Sequence, residues 1–116
     1  MAIDYYHNPR CSTSRKALQM LRGKGVEPNI IKYLKTPPDK ARLKQLLKMM
    51  KMTPRELLRK REKDTIKATG LDDESLADEA VIEAMVANPI LIERPIIVNG
   101  RKARLGRPAE KVLEIV

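Results

Sequence analysis

The only cysteine of the chain, Cys11, stands in the run His7-Asn8-Pro9-Arg10-Cys11-Ser12-Thr13-Ser14-Arg15, where a thiol is surrounded by an imidazole, hydroxyls and two guanidiniums. The nucleophilic form of cysteine is the thiolate, and a free thiol with a pKa of about 8.5 is brought toward it by a helix N-terminus and nearby cations. Spacing separates the possible chemistries. A phosphatase-type loop needs arginine at the sixth position after the cysteine, where this chain has Ala17, and a dithiol redox site needs Cys-x-x-Cys, where Ser14 stands instead. What remains is a one-thiol Cys-x-x-Ser site. With no resolving cysteine, it turns over only if an external thiol completes the reaction. His7 lies in the same loop and titrates near neutrality, so it either deprotonates or orients the thiol or bonds the loop backbone; it is taken as a modulator of Cys11.

Such a cysteine needs a strand, a loop and a helix to hold it. Ile3 to Tyr6 is mostly β-branched or aromatic and ends at the turn-prone Asn8-Pro9, which predicts a strand leading into a loop. From Ser12 the period becomes helical, with Ala17, Met20 and Leu21 on one face and Gly23 and Gly25 near the end. This places Cys11 where unpaired backbone N–H groups favour an anion. Pro28 to Leu34 supplies a second strand, and a βαβ unit of this kind has parallel strands.

Three helices are expected next. One has Thr36 as N-cap before Pro37 and a Leu43, Leu46, Leu47, Met50 stripe. Another starts at Pro54 in the capping box Thr53-Pro54-Arg55-Glu56, with Leu57 and Leu58 turned inward. The third opens at Ser75-Leu76-Ala77-Asp78, buries Ala77, Val81, Ala84 and Met85, and closes at Asn88-Pro89. Pro95 to Val98, Gly100 and Lys102 to Leu105 predict a hairpin, and Pro108 opens a last helix with Val112 and Leu113 inward. The expected fold class is therefore α/β: a four-stranded mixed sheet with flanking helices and a helical insertion between its βαβ and ββα halves, all within one domain spanning residues 1–116.

Composition narrows the function. A chain of 116 residues fits one core. One Cys and one His exclude disulfide scaffolding and a structural zinc site, so no metal and no bound cofactor is expected. No Phe, no Trp and only three Tyr leave few candidates for stacking on bases or flavins. The N-terminal residues do not resemble a signal peptide, and no apolar run reaches the roughly 18 residues a membrane span needs. The expectation is a cytoplasmic protein without a membrane partner, its thiol kept reduced. The net charge of +9 lies largely between Lys40 and Lys67 at helical spacing, as on solvated helix faces, so no nucleic-acid partner is expected.

The cysteine run resembles the signature of the glutaredoxin-dependent arsenate reductases. The similarity continues through Tyr33-Leu34-Lys35-Thr36-Pro37-Pro38, Arg55-Glu56-Leu57-Leu58-Arg59, Asn88-Pro89-Ile90-Leu91-Ile92-Glu93-Arg94-Pro95 and Gly106-Arg107-Pro108, spanning nearly the whole chain in order. The resemblance implies a thioredoxin-like fold and an oxidoreductase for arsenic detoxification, in which the Cys11 thiolate attacks arsenate held by Arg59, Arg94 and Arg107. Planar guanidinium forks suit such an oxyanion, since each donates paired hydrogen bonds and keeps its charge. Ser14 and Arg15 join this anion-binding set, Arg15 either steadying the loop or making a secondary anion contact. The resemblance further implies glutathione as co-substrate, glutaredoxin as protein partner, and a cis-proline position at Arg94-Pro95. The chain departs from the family's usual Gly-Thr-Ser after the cysteine by carrying Ser12. Three other readings stand beside it: a family thiol oxidoreductase with another substrate, a same-fold regulator that binds RNA polymerase through other surfaces, and a nucleic-acid binder drawn by charge alone and indifferent to Cys11.

Overall fold

In the computed structural model, which describes Ala2–Val116, the chain forms two compact units: a sheet unit made of residues up to Thr36 together with Arg94–Val116, and a helical unit, Pro37–Glu93. The sheet unit contains β1 (Ile3–His7), α1 (Ser12–Gly23), β2 (Asn29–Lys32), β3 (Ile96–Asn99), β4 (Lys102–Leu105) and a C-terminal 3₁₀ helix, Ala109–Ile115. The strand order is β2-β1-β3-β4. β1 and β2 run parallel with Tyr5 opposite Ile30, while β3 is antiparallel to both β1 and β4, with Tyr5 opposite Ile97. This is the expected thioredoxin-like arrangement of a βαβ half and a ββα half with the helical insertion between them.

Alternation along β1 explains how the unit closes. Tyr5 faces α1 and packs with Ala17, Leu18, Leu21, Ile97, Ala109, Val112 and Ile115, while Tyr6, paired with Ile96, is buried on the opposite face. On α1 the fully buried residues are Ser14, Ala17 and Leu21, with Leu18 beside them, and Met20 is only half-buried. The face therefore turns slightly from the predicted one, because one edge of the helix meets the C-terminal 3₁₀ helix as well as the sheet. Val112 is buried as expected and Leu113 half-buried. α1 stops where Gly25 takes φ +77, and Val26 then donates back to the Leu21 carbonyl. The β3–β4 hairpin turns on Gly100 at φ +63, with Asn99 opposite Lys102.

The helical unit contains α2 (Lys40–Met50), α3 (Pro54–Leu57), α4 (Lys63–Ala68), α5 (Asp78–Ala87) and a 3₁₀ turn, Pro89–Leu91. α2 begins later than predicted. Its N-cap is Asp39, whose carboxylate accepts from the Arg42 N–H at 2.7 Å, rather than Thr36. A proline at 38 disfavours helical backbone at Pro37, and the Asp carboxylate is a strong cap two residues on. The Thr53–Glu56 capping box forms in full, but α3 lasts one turn, and Leu58 leaves it in extended conformation to bridge Ile92. α4 was not expected, its six residues burying no side chain. α5 presents Val81, Ile82 and Met85 as its buried face to a unit in which α2 and α3 contact it, whereas Ala77 is its exposed N-cap and Ala84 is half-buried. Apolar burial decided these differences: a residue such as Ile82 gains about 1.5–3 kcal/mol inside, and an alanine much less.

Candidate active site

Cys11 is the N-cap of α1, with extended backbone (φ −89°, ψ 121°) and a half-buried side chain. The Asn8-Pro9-Arg10 turn delivers it there. Its N–H donates to the Asn8 carbonyl at 3.0 Å, its carbonyl accepts from the Arg15 N–H at 3.0 Å, and the Asn8 side chain accepts from the Arg10 N–H. The Arg15 guanidinium closes the loop by donating to the Pro9 carbonyl at 2.9 Å. Ser12 is exposed on the first turn of α1.

The sulfur meets three donors from two distant parts of the sequence. The Ser14 backbone N–H and the Arg94 side chain hydrogen-bond to it, and Arg107 Nη2 lies 3.5 Å away. Burial pushes the Cys11 thiol up, but the Ser14 N–H, the Arg94 hydrogen bond and the positive charges of Arg107 and Arg94 outweigh it, so the pKa lies below the ordinary thiol value. Arg94, itself buried, and Arg107 sit at the two ends of the β3–β4 hairpin. Arg107 is held in place by its Nε, which donates to the Arg94 carbonyl at 2.8 Å. The bonds from these arginines to Pro95 and Pro108 are both cis.

Below the sulfur lies a buried polar network. His7 Nδ1 and Ser14 Oγ are hydrogen-bonded at 2.7 Å, the Asn8 N–H donates to the same oxygen at 3.2 Å, and the Tyr5 hydroxyl donates to the Ser14 carbonyl at 2.6 Å. The Ser14 hydroxyl therefore faces inward, and Ser14 serves the site through its backbone N–H. His7 reaches Cys11 through Ser14, which gives its expected modulating role a route. Burial lowers the His7 pKa, and the charges of Arg22, Lys32 and Arg15 lower it further, which favours the neutral ring. Burial also pushes the Tyr5 hydroxyl well above its ordinary value, keeping it a donor.

Arg59 belongs to the helical unit. It is buried, its Nη1 pairs with Glu93 at 2.8 Å, its Nε lies 3.6 Å from Glu62, and its backbone N–H donates to the Leu91 carbonyl. Two residues that hold the site up have no chemical signature. Tyr5 reads from the sequence as a core strand residue. Gly106 reads as a turn, yet a Cβ there would come within 2.7 Å of Pro95 and 2.8 Å of Val112, so only glycine lets Arg107 start from this position. The one available signal is its place between β4 and the Arg107-Pro108 pair.

A nucleophile at a helix N-terminus, facing two guanidiniums, can attack the central atom of an oxyanion that those guanidiniums bind. The chain resembles several known proteins over nearly its whole length. The chain is 55% identical over 115 residues to the uncharacterized protein YfgD of Escherichia coli (strain K12), an alignment covering 98% of this chain and 96% of that one. It is 46% identical to an arsenate reductase of the same strain, over 98% of this chain and 80% of that protein. It is 44% identical to the arsenate reductase of Rhizobium meliloti (strain 1021), over 100% and 82%. Among solved structures, the arsenate reductase from Vibrio cholerae superimposes with a TM-score of 0.94 at 44% identity, covering 100% of this chain and 98% of that one. The ArsC family pattern matches residues 6–115, and on these grounds the chain belongs to the ArsC family.

Proposed function

We propose that the protein reduces arsenate to arsenite, with Cys11 as nucleophile, glutathione as co-substrate and glutaredoxin as the partner that completes the reduction. The observation that carries this reading is the approach of Arg107 Nη2 to within 3.5 Å of Cys11 Sγ, with Arg94 bonded to the same atom. Those donors stabilise a thiolate and, once its charge passes to an incoming oxyanion, can turn to the oxygens of that anion. The names of the relatives at 44–46% identity support arsenate as the anion. Arg59 is assigned the third arginine's role by its motif position, and Arg15 a secondary anion contact.

In the proposed cycle the Cys11 thiolate attacks arsenic, forming S–As, and one oxygen leaves as water after taking up protons. Glutathione then condenses with an As–OH group, its sulfur bonding to arsenic and a second water departing, so that arsenic remains As(V). A glutaredoxin thiolate attacks the glutathione sulfur, forming a mixed disulfide, and the As–S electron pair stays on arsenic, which becomes As(III). Water displaces Cys11 and releases arsenite. The lone cysteine makes external thiol necessary, since the chain cannot form the disulfide itself. The proposed setting is the reducing cytoplasm; among the described residues no helix is long and apolar enough to cross a membrane.

The test is arsenite release by purified protein supplied with arsenate, glutathione and glutaredoxin, with Cys11→Ser alongside. Turnover that requires every component and Cys11 supports the reading. Absence of turnover, with Cys11 still reactive toward a thiol probe at neutral pH, would leave the nucleophile and remove arsenate as its substrate.

A further inference from the structure

Beside the cysteine loop the sheet unit carries a groove of about 340 Å³, one wall made by residues 7–10 and the other by Lys32, Leu34 and Lys35. The second wall is a product of chain geometry. After β2 the backbone folds back, with the Lys35 and Thr36 N–H groups both donating to the Lys32 carbonyl at 2.9 and 3.0 Å, so Lys32 and Lys35 come to line the same groove. Lys32 is opposite His7 in the β1–β2 register, which fixes this wall against the start of the cysteine loop.

The lining has a definite chemical character. Arg10, Lys32 and Lys35 are exposed, and none of them is ion-paired with a carboxylate among the described residues. No acidic residue lines the groove. Between the cations lie Pro9 and Leu34, the latter 40% exposed and one of only two large hydrophobic residues exposed among those described. A bare tetrahedral oxyanion would leave most of this volume empty and gain nothing from Leu34. A ligand whose carboxylates are separated by methylene and peptide segments would meet both the charges and the apolar strip. Arg10, which lines the groove, is the immediate chain neighbour of Cys11.

We infer that this groove binds the small thiol co-substrate, a carboxylate-bearing peptide thiol of the glutathione type, and presents its sulfur to Cys11. The inference rests on the proposed thiol-dependent cycle and deepens it: Lys32 and Lys35, with Arg10, select an anionic thiol over a neutral one by charge, while Leu34 and Pro9 contact its uncharged stretch. Arg94 and Arg107 keep the oxyanion, so the two ligands occupy different cationic sets.

The experiment separates the groove from the arsenate reading. Cys11 is converted to its mixed disulfide with 5-thio-2-nitrobenzoate, and release of the coloured thiolate is followed as glutathione or 2-mercaptoethanol attacks Sγ. The attacking thiolate forms the new S–S bond, and nitrothiobenzoate leaves with the electron pair of the old one. In the double variant Lys32→Glu and Lys35→Glu, release by glutathione should slow about tenfold, as expected for the loss and reversal of two surface charge contacts, while release by 2-mercaptoethanol should be unchanged. In arsenite release the same variant should raise the KM for glutathione and leave the KM for arsenate as it was. Equal slowing with both thiols, or none with either, overturns the groove assignment; so does slowing confined to glutaredoxin, which would assign the lysines to the protein partner. If the wild-type protein releases no arsenite but the glutathione-selective slowing is found, the groove stands and the arsenate reading falls.

Discussion

Arg107 donates from two of its nitrogens to two different parts of the site, Nη2 to Cys11 Sγ at 3.5 Å and Nε to the Arg94 carbonyl at 2.8 Å. The contact with Cys11 crosses 96 residues of sequence. One guanidinium thus ties Cys11, at the start of α1, to the segment before β3, and the backbone bond fixes the orientation of the fork.

Cys11→Ser should abolish arsenite release, by about a thousandfold or more, since a hydroxyl is not ionised where a thiolate is. The thermal midpoint should change little, because the side chain is only half-buried. Full activity in this variant would remove Cys11 from the mechanism.

The rate of Cys11 alkylation by a neutral reagent should rise with pH around a midpoint below the ordinary thiol value. Arg94→Ala or Arg107→Ala should move the midpoint upward, because each removes a positive charge that favours the thiolate. Arg107→Lys should retain part of the lowering and lose the paired donation of the fork. The sign for stability follows from linkage: the depressed thiol pKa means the unfolded chain binds more protons, so this contribution is present above the ordinary thiol pKa and lost as pH falls through the folded value. A midpoint indifferent to both arginines would show that they do not act on the sulfur.

Ser14→Ala removes the oxygen shared by His7 Nδ1 and the Asn8 N–H, leaving two buried groups short of a partner, and should cost about 1–3 kcal/mol in denaturant unfolding. The Cys11 alkylation midpoint should move less than in the arginine variants, since the backbone N–H at position 14 remains. Because His7 is held below its ordinary pKa of 6.5, its contribution to stability is present above that pH and declines as the pH drops toward the folded value. His7→Gln should flatten this part of the stability profile.

Gly106→Ala should destabilise the protein by about 1–3 kcal/mol, since the added methyl must displace Pro95 or Val112. It should also raise the KM for arsenate, because Arg107 follows directly and would shift with the backbone. Circular dichroism melting together with steady-state kinetics checks both parts, and unchanged values would show that the turn adjusts freely.

The helical unit offers an independent stability test. Lys51 caps α2 in left-handed conformation at φ 57°, which favours glycine over any residue with a Cβ. Lys51→Gly should stabilise by about 0.5 kcal/mol in denaturant unfolding, and a loss would show that the lysine side chain carries more than the strain it bears.

The local content of the sequence determined the place of Cys11 and the elements that carry it. A lone cysteine between Asn8-Pro9 and a polar helix start fixes a one-thiol site, and alternation in β1, the helical period after Ser12 and the Gly100 hairpin fix a βαβ half and a ββα half, because each depends on neighbours within a few residues. The capping box at Thr53 was legible for the same reason. The start of α2 at Asp39, the short α3 and the burial of Ile82 in place of Ala84 were not, since they turn on which apolar surface has something to pack against. The tertiary structure alone decided how the sulfur is served. It brought Arg94 and Arg107 to Cys11, turned the Ser14 hydroxyl inward to His7, and left Gly106 as the residue on which Arg107 depends. Those relations are made by strand pairing between β1 and β3, which joins segments some ninety residues apart, and charge and hydrogen-bond geometry across such a distance are properties of the fold, with no trace in the spacing of the chain.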